Sequence, residues 1–216
     1  MKDIYEFSAN DLLLGYTMGV FPMAKNSGDD EVTWVRPELR GIIPINNLHI
    51  SRSLKRKINS NNYNCSFNKS FLQVLNLCRT RKETWINDNL VDKYLELHNR
   101  RFAQSVEIWY NNELIGGLFG ITIGACFFAE SMFSKKTDGS KLAMVALFNR
   151  LKTCGYKLFD TQFYTPHLGR MGAIEISQLE YEEILKTCIH ESVTFFEQND
   201  RSNHLHVPKS LSSSRL

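Results

Sequence analysis

The chain lacks most of the short motifs that would settle its chemistry at once. Its five cysteines (Cys65, Cys78, Cys126, Cys154, Cys188) form no CxxC pair, which argues against zinc ribbons and thioredoxin-type exchange. Their odd number and wide spacing do not suit a disulfide scaffold, and a reducing cytosol fits them best. No GxGxxG or GxxxxGK[ST] is present, so dinucleotide and P-loop chemistry fall away, and HExxH and GxSxG are missing as well. The longest mostly apolar stretch, Leu114 to Ala129, is too short and too rich in glycine to span a membrane. The opening residues Met1-Lys2-Asp3-Ile4-Tyr5-Glu6 carry no apolar signal core. Neither sign of charge dominates, since 26 basic and 23 acidic residues give a net charge of +3. Any contact with nucleic acid must therefore come from a local basic patch. These absences together predict a soluble, cytoplasmic protein without a membrane partner.

What is present is ordinary globular material. Of 216 residues, 43% are hydrophobic, and 14 Phe, 8 Tyr and 3 Trp supply both a core and stacking surfaces. Ser8 is placed to cap a short helix that ends at Gly19. Residues 21–47, with Pro22, Pro37, Pro44 and the turn cluster Asn26-Ser27-Gly28-Asp29, read as irregular. A basic helix begins near Ser51, Asn68 is expected to cap a second helix, and Asn87 or Asp88 starts a third. The pattern then alternates. Gln104 to Tyr110 and Glu113 to Gly120 flank Asn111-Asn112, a tight hairpin signal, and a third strand runs from Ala125 to Phe133. A helix from about Gly139 to Cys154 closes at Gly155, and Tyr156 to Phe163 reads as a strand. Ser177 caps a last helix through His190.

This order predicts an α/β (α+β) chain divided near residue 48. A small N-terminal part (1–48) precedes a larger part (49–196) whose hairpin, strand, helix and strand suit an acyltransferase-like sheet. A polar tail (197–216) follows.

Three groups of residues are candidates for chemistry. On a strand, Asp160 and Gln162 stand at i and i+2 and share a face, where a carboxylate and an amide can orient an amine. The plainer alternative is a polar strand end that bonds only to nearby backbone. Glu130 lies in the apolar run from Cys126 to Phe133, and a buried Glu needs a partner. Burial raises its pKa, whereas a cation holds it charged, and a structural salt bridge would serve equally well. Basic residues gather at Arg52, Lys55 and Arg56 and again at Arg79 and Arg81. With Trp34 and Trp85 in polar surroundings, they suit RNA or nucleotide recognition, or else form solvated faces. The loop Ser134 to Lys141 lacks the glycine-rich pyrophosphate loop of CoA-dependent acetyltransferases, so the acyl donor should be something other than CoA.

The sequence resembles bacterial leucyl/phenylalanyl-tRNA–protein transferases. The matching stretches include Gly15-Tyr16, Gly19-Val20-Phe21-Pro22-Met23, Arg40-Gly41 and His49-Ile50-Ser51-Arg52-Ser53. Thr84-Trp85-Ile86, Gly116-Gly117-Leu118-Phe119-Gly120, Glu130-Ser131-Met132-Phe133-Ser134, Asp160-Thr161-Gln162 and Thr165-Pro166-His167-Leu168 follow in order. The resemblance implies a small N-terminal domain and an acetyltransferase-like (GNAT-like) domain. It implies transfer of Leu, Phe and, to a lesser extent, Met from aminoacyl-tRNA to proteins beginning with Arg or Lys, as a mark for the bacterial N-degron pathway. A non-catalytic RNA-binding module of the same fold is the alternative. By resemblance, Asp160, Gln162 and Glu130 are catalytic. Leu118, Phe127, Ala129, Met132, Leu147, Leu151 and Phe159 line the aminoacyl pocket, and Trp34 and Trp85 lie near the terminal adenosine. An aminoacyl ester is already activated, so no cofactor and no metal are expected.

Overall fold

Helix α1 (Ala9–Thr17) starts at a reciprocal cap in which Ser8 and Asp11 satisfy each other's backbone N–H groups, and it stops at Gly19, where φ is +77°. The structure, a computed structural model, describes residues 7–24, 31–60, 62–80 and 84–196. The turn cluster at Asn26, Arg81 and the expected polar tail lie outside the described residues.

The stretch expected to be irregular holds three four-residue strands, β1 (Phe21–Ala24), β2 (Val32–Val35) and β3 (Leu39–Ile42). Strands this short, one of them containing Pro22, carry too little alternation to be read as strands. β1 and β2 pair with each other, whereas β3 enters the main sheet. Helix α2 (Arg52–Asn59) is followed by β4 (Asn64–Phe67), α3 (Phe71–Arg79) and α4 (Asp88–Asn99). Asn68 does not cap α3. It takes φ +59°, its side chain accepts from the backbone of Ser105, and Ser70 occupies the cap position.

The strands β5 (Ala103–Tyr110) and β6 (Glu113–Ile123) meet at Asn111 and Asn112, whose φ angles of +50° and +61° make the expected tight turn. β7 (Cys126–Ser134), α5 (Gly139–Thr153), β8 (Leu158–Gln162), the one-turn helix α6 (Pro166–Gly169), β9 (Ile174–Ser177) and α7 (Gln178–Cys188) complete the order. The large sheet runs β4-β5-β6-β7-β8-β3-β9, antiparallel except for the β7–β8 pair. α5 provides the crossover that a parallel pair requires. One core packs α1, α3, α4 and α7 on one face of the sheet, and a second packs α2 and α5 on the other. This is a mixed α/β layout with helices on both faces of the sheet. No helix among the described residues is long and apolar enough to cross a membrane.

Two local features position the site. The parallel pairing of β7 with β8 stops at Phe128 opposite Asp160, so residues 129–134 and 161–162 are free to diverge. A bulge in β7 adds Glu130, because Phe119 faces Ser131 while Gly120 faces Ala129. The extra residue shifts the alternation. Phe127, Ala129 and Met132 face the α5 core, while Phe128 and Phe133 face the other.

Close backbone packing sets the first turn of α5. A Cβ on Gly116 would stand 2.3 Å from the carbonyl carbon of Gly139. Gly116→Ala is therefore expected to cost about 1–3 kcal/mol, read as a lower midpoint in urea unfolding.

Candidate active site

Asp160 is fully buried and saturated with donors. Arg40 reaches it through Nε at 3.0 Å and Nη2 at 2.6 Å, and the Tyr181 hydroxyl donates at 2.8 Å. The backbone N–H of Gln162 donates to its Oδ1 at 2.7 Å. Arg40 is itself 0% exposed and lies between the rings of Phe21 and Tyr181, 4.5 and 4.4 Å from their centroids. Burial opposes its charge, but Asp160 beside it holds the guanidinium protonated. An ionised carboxylate has about four acceptor sites, and here they are taken. Asp160 thus fixes the Gln162 backbone at φ +64° and has no site left for a reacting group.

Glu130 is arranged differently. The hydroxyls of Tyr16 and Tyr94 donate to its two oxygens at 2.6 and 2.8 Å, and Gln162 Nε2 donates to Oε1 at 3.2 Å. Burial pushes its carboxyl up to about 7, although both tyrosine hydrogen bonds pull the other way. The two phenols are raised well above their ordinary range, first by burial and then by Glu130, and remain neutral donors. Glu130 therefore holds the amide nitrogen of Gln162 and leaves the amide oxygen as the acceptor. The hydroxyl of Tyr16 also joins α1 to the main sheet at this point.

Both Glu130 and Gln162 line a cavity of about 790 Å³ at the gap between β7 and β8. Its apolar wall comes from Leu77, Leu118, Ala129, Met132, Phe133, Met144 and Leu168, with Trp85 set edge-on to Tyr94. A more polar side carries Ser134, Lys135, Ser140, Thr161, Thr165 and His167. Burial and the neighbouring cations Lys141 and Arg170 hold the His167 imidazole below its ordinary value, so it is neutral at pH 7. The volume is in the range of cavities that enclose a cofactor-sized ligand. A metal needs a cluster of His, Cys, Asp or Glu, and none of three or more occurs among the described residues.

Family comparison agrees over most of the chain. Residues 42–186 match the family described as leucyl/phenylalanyl-tRNA protein transferase, and residues 5–38 match the N-terminal domain of that transferase. The chain belongs to the leucyl/phenylalanyl-tRNA–protein transferase family. A relative of that name from Ruegeria pomeroyi is 46% identical over 85% of this chain and 88% of its own length. One from Dinoroseobacter shibae is 48% identical over 83% and 81%. Among solved structures, that of L-PGS from Bacillus licheniformis is a distant likeness, with a TM-score of 0.42 and 16% identity over 84% of this chain and 63% of that one.

Within this transferase family member, the residues singled out from sequence fall into separate places. Glu130, Gln162, Trp85, Leu118, Ala129 and Met132 meet at the cavity. Asp160 lies behind it, where its bonds go to Arg40, Tyr181 and the Gln162 backbone. Phe127, Leu147, Leu151 and Phe159 are fully buried in the α5 core and are not among the residues lining the cavity. Trp34 lies on β2 against Phe7 and Gly15, also off the lining. Arg52 and Arg56 are exposed and Lys55 half-buried on α2, above the buried pair Leu54 and Ile58. Arg79 does not join them, since α3 packs on the opposite face of the sheet and Asp88 pairs with its guanidinium.

Sequence reasoning missed Tyr16, Tyr94, Arg40 and Tyr181. Tyr16 and Arg40 stood inside matching stretches, but no spacing rule connects residues more than 100 positions from their partners. Tyr94 shares the buried face of α4 with Leu90, Val91 and Leu97, which hides the fact that its hydroxyl needs a buried partner. Met144 was missed because α5 is apolar on nearly every side.

Proposed function

We propose that the cavity receives the aminoacyl end of Leu-tRNA, Phe-tRNA or, less well, Met-tRNA, and that Gln162 presents the α-amine of an acceptor protein beginning with Arg or Lys. The supporting observation is the junction of an apolar cavity with an amide whose two ends are assigned by a buried carboxylate. The flexible side chains of Met132 and Met144 suit unbranched and γ-branched apolar groups. Such walls discriminate by only about 1–3 kcal/mol per methylene, which fits a small set of related donors.

The reaction needs little more than positioning. The neutral α-amine attacks the ester carbonyl carbon, the bond from that carbon to the ribose 3′-oxygen breaks, and the amine's proton passes to the released oxygen. A free α-amine has a pKa of about 7.7–8.0, so the reactive form is available at neutral pH. Gln162 Oε1 accepts a hydrogen bond from the amine and aims its lone pair. A neutral amide does not keep the proton. Ionised Glu130 adds a negative potential that favours a cationic first residue. The product carries a new apolar N-terminus, which serves as a mark for the bacterial N-degron pathway.

The test is direct. tRNA charged with labelled Leu, Phe, Met or Val is mixed with an Arg-starting peptide. Label should enter the peptide from the first three far more than from Val-tRNA. Tight tRNA binding without labelled peptide would favour the non-catalytic RNA-binding module.

The α2 residues provide a docking prediction. Arg52, Lys55 and Arg56 make no ion pair with a described residue, as the salt bridges at this end use Lys57, Lys141 and Asp138. Replacing Arg52 and Lys55 by Ala should flatten the log–log salt dependence of tRNA binding by about 0.7–0.9 for each phosphate that is no longer neutralised. A donor reduced to aminoacyl-adenosine should react unchanged.

A further inference from the structure

Two buried polar atoms in the cavity are left over once the carboxylates are accounted for. Thr161 Oγ1 and His167 Nε2 are both buried, and neither finds a hydrogen-bond partner among the described residues. Both residues line the cavity that holds Gln162. Thr161 is 9% exposed and precedes Gln162 on β8. Its neighbours Phe159 and Asp160 face the α5 core and the Arg40 side respectively, so alternation turns Thr161 toward α5, the side of Met144 and Leu168. His167 is held by α6, where the Thr165 side chain caps the single turn. Buried polar atoms without partners are rare and costly, and atoms like these that border a cavity are best satisfied by what enters it.

Their chemistry narrows the choice. A threonine hydroxyl can both donate and accept, and a neutral imidazole nitrogen accepts or donates according to its tautomer. A ligand hydroxyl, which also does both, completes the pair in either tautomer. An ester carbonyl can only accept and an ammonium can only donate, so each serves one tautomer alone. In a 3′-aminoacyl-adenosine, the hydroxyl next to the reacting ester is the ribose 2′-OH. We infer that Thr161 and His167 form a subsite for the 2′-hydroxyl of the donor's terminal ribose, with Thr161 Oγ1 and His167 Nε2 each hydrogen-bonded to it. Held on both sides, the hydroxyl orients the adjacent 3′-ester toward the amine at Gln162. The inference rests on the reading of this cavity as the aminoacyl-tRNA site.

The experiment measures kcat/KM for peptide formation from 3′-O-leucyl-adenosine and from 3′-O-leucyl-2′-deoxyadenosine, with one Arg-starting peptide. The proteins are the unmodified chain, Thr161→Val, His167→Leu and His167→Gln, the last keeping an acceptor near the Nε2 position. Thr161→Val and His167→Leu should each lower the value for the ribo donor about tenfold. Both should lower the value for the deoxy donor much less, and His167→Gln should recover most of the ribo rate. Equal losses with both donors, or no loss with either, would overturn the subsite while leaving the transferase reading intact. Absence of transfer from either donor and from intact Leu-tRNA by the unmodified chain would overturn that reading and the subsite together.

Discussion

An Arg40→Met variant is expected to lose about 3–5 kcal/mol of folding stability. Its guanidinium and the Asp160 carboxylate are both fully buried, and the substitution leaves that carboxylate without a counter-charge. The Gln162 backbone, which is bonded to the same carboxylate, loses its support as well. Chemical denaturation of the variant at neutral pH provides the measurement. Pairing the change with Asp160→Asn removes both charges and should restore most of the lost stability, because the desolvation penalty goes with them. A single variant within about 1 kcal/mol of the unmodified chain would mean that the pair is open to water.

Glu130→Gln should lower kcat/KM by roughly 10²–10³-fold and change how the rate depends on pH. Ionised Glu130 accepts from Gln162 Nε2 and turns the amide oxygen to the amine. Protonated Glu130 can instead donate to that oxygen, which would present the NH₂ group to the amine with the wrong polarity. With the carboxyl at about 7, activity should rise as pH passes upward through neutrality. The acceptor amine, at about 7.7–8.0, contributes a second rising limb. Well below both values, log kcat/KM should climb with a slope of about 2 in the unmodified chain and about 1 in Glu130→Gln.

Stability should respond in the opposite sense. A carboxyl whose folded-state pKa is raised favours the folded protein when protonated, and that contribution disappears as pH climbs from about 4.5 to about 7. Glu130→Gln should therefore melt no lower than the unmodified chain at pH 8.

Sequence reading reached the elements with strong local signals. Ser8, Asn87 and Ser177 all cap helices as their spacing indicates, and Gly155 takes φ +82° after α5. It failed where pairing is non-local. β3, placed with the N-terminal part by its position in the chain, belongs to the main sheet because Gly41 pairs with Gln162 and Glu175. The i, i+2 rule put Asp160 and Gln162 side by side. In the structure the strand ends at Gln162 in a left-handed conformation, so the two side chains go to different partners, Arg40 and Glu130. The bulge at Glu130 is equally hidden, since only the register with β6 reveals one extra residue. Strand alternation and an acid in an apolar run bring Gln162 and Glu130 into view, and the family resemblance implies their role, but the tyrosines and Arg40 that set their chemistry lie on elements far away in the chain.

Single-turnover transfer from Leu-tRNA by Gln162→Ala tests most directly whether this amide receives the attacking amine. The substitution removes the amide oxygen, while the apolar wall and α2 are untouched. The expected transfer rate is at least about 10²-fold lower, with the dissociation constant for Leu-tRNA unchanged. Transfer at the unmodified rate, with saturating tRNA and peptide, would contradict the role given to Gln162.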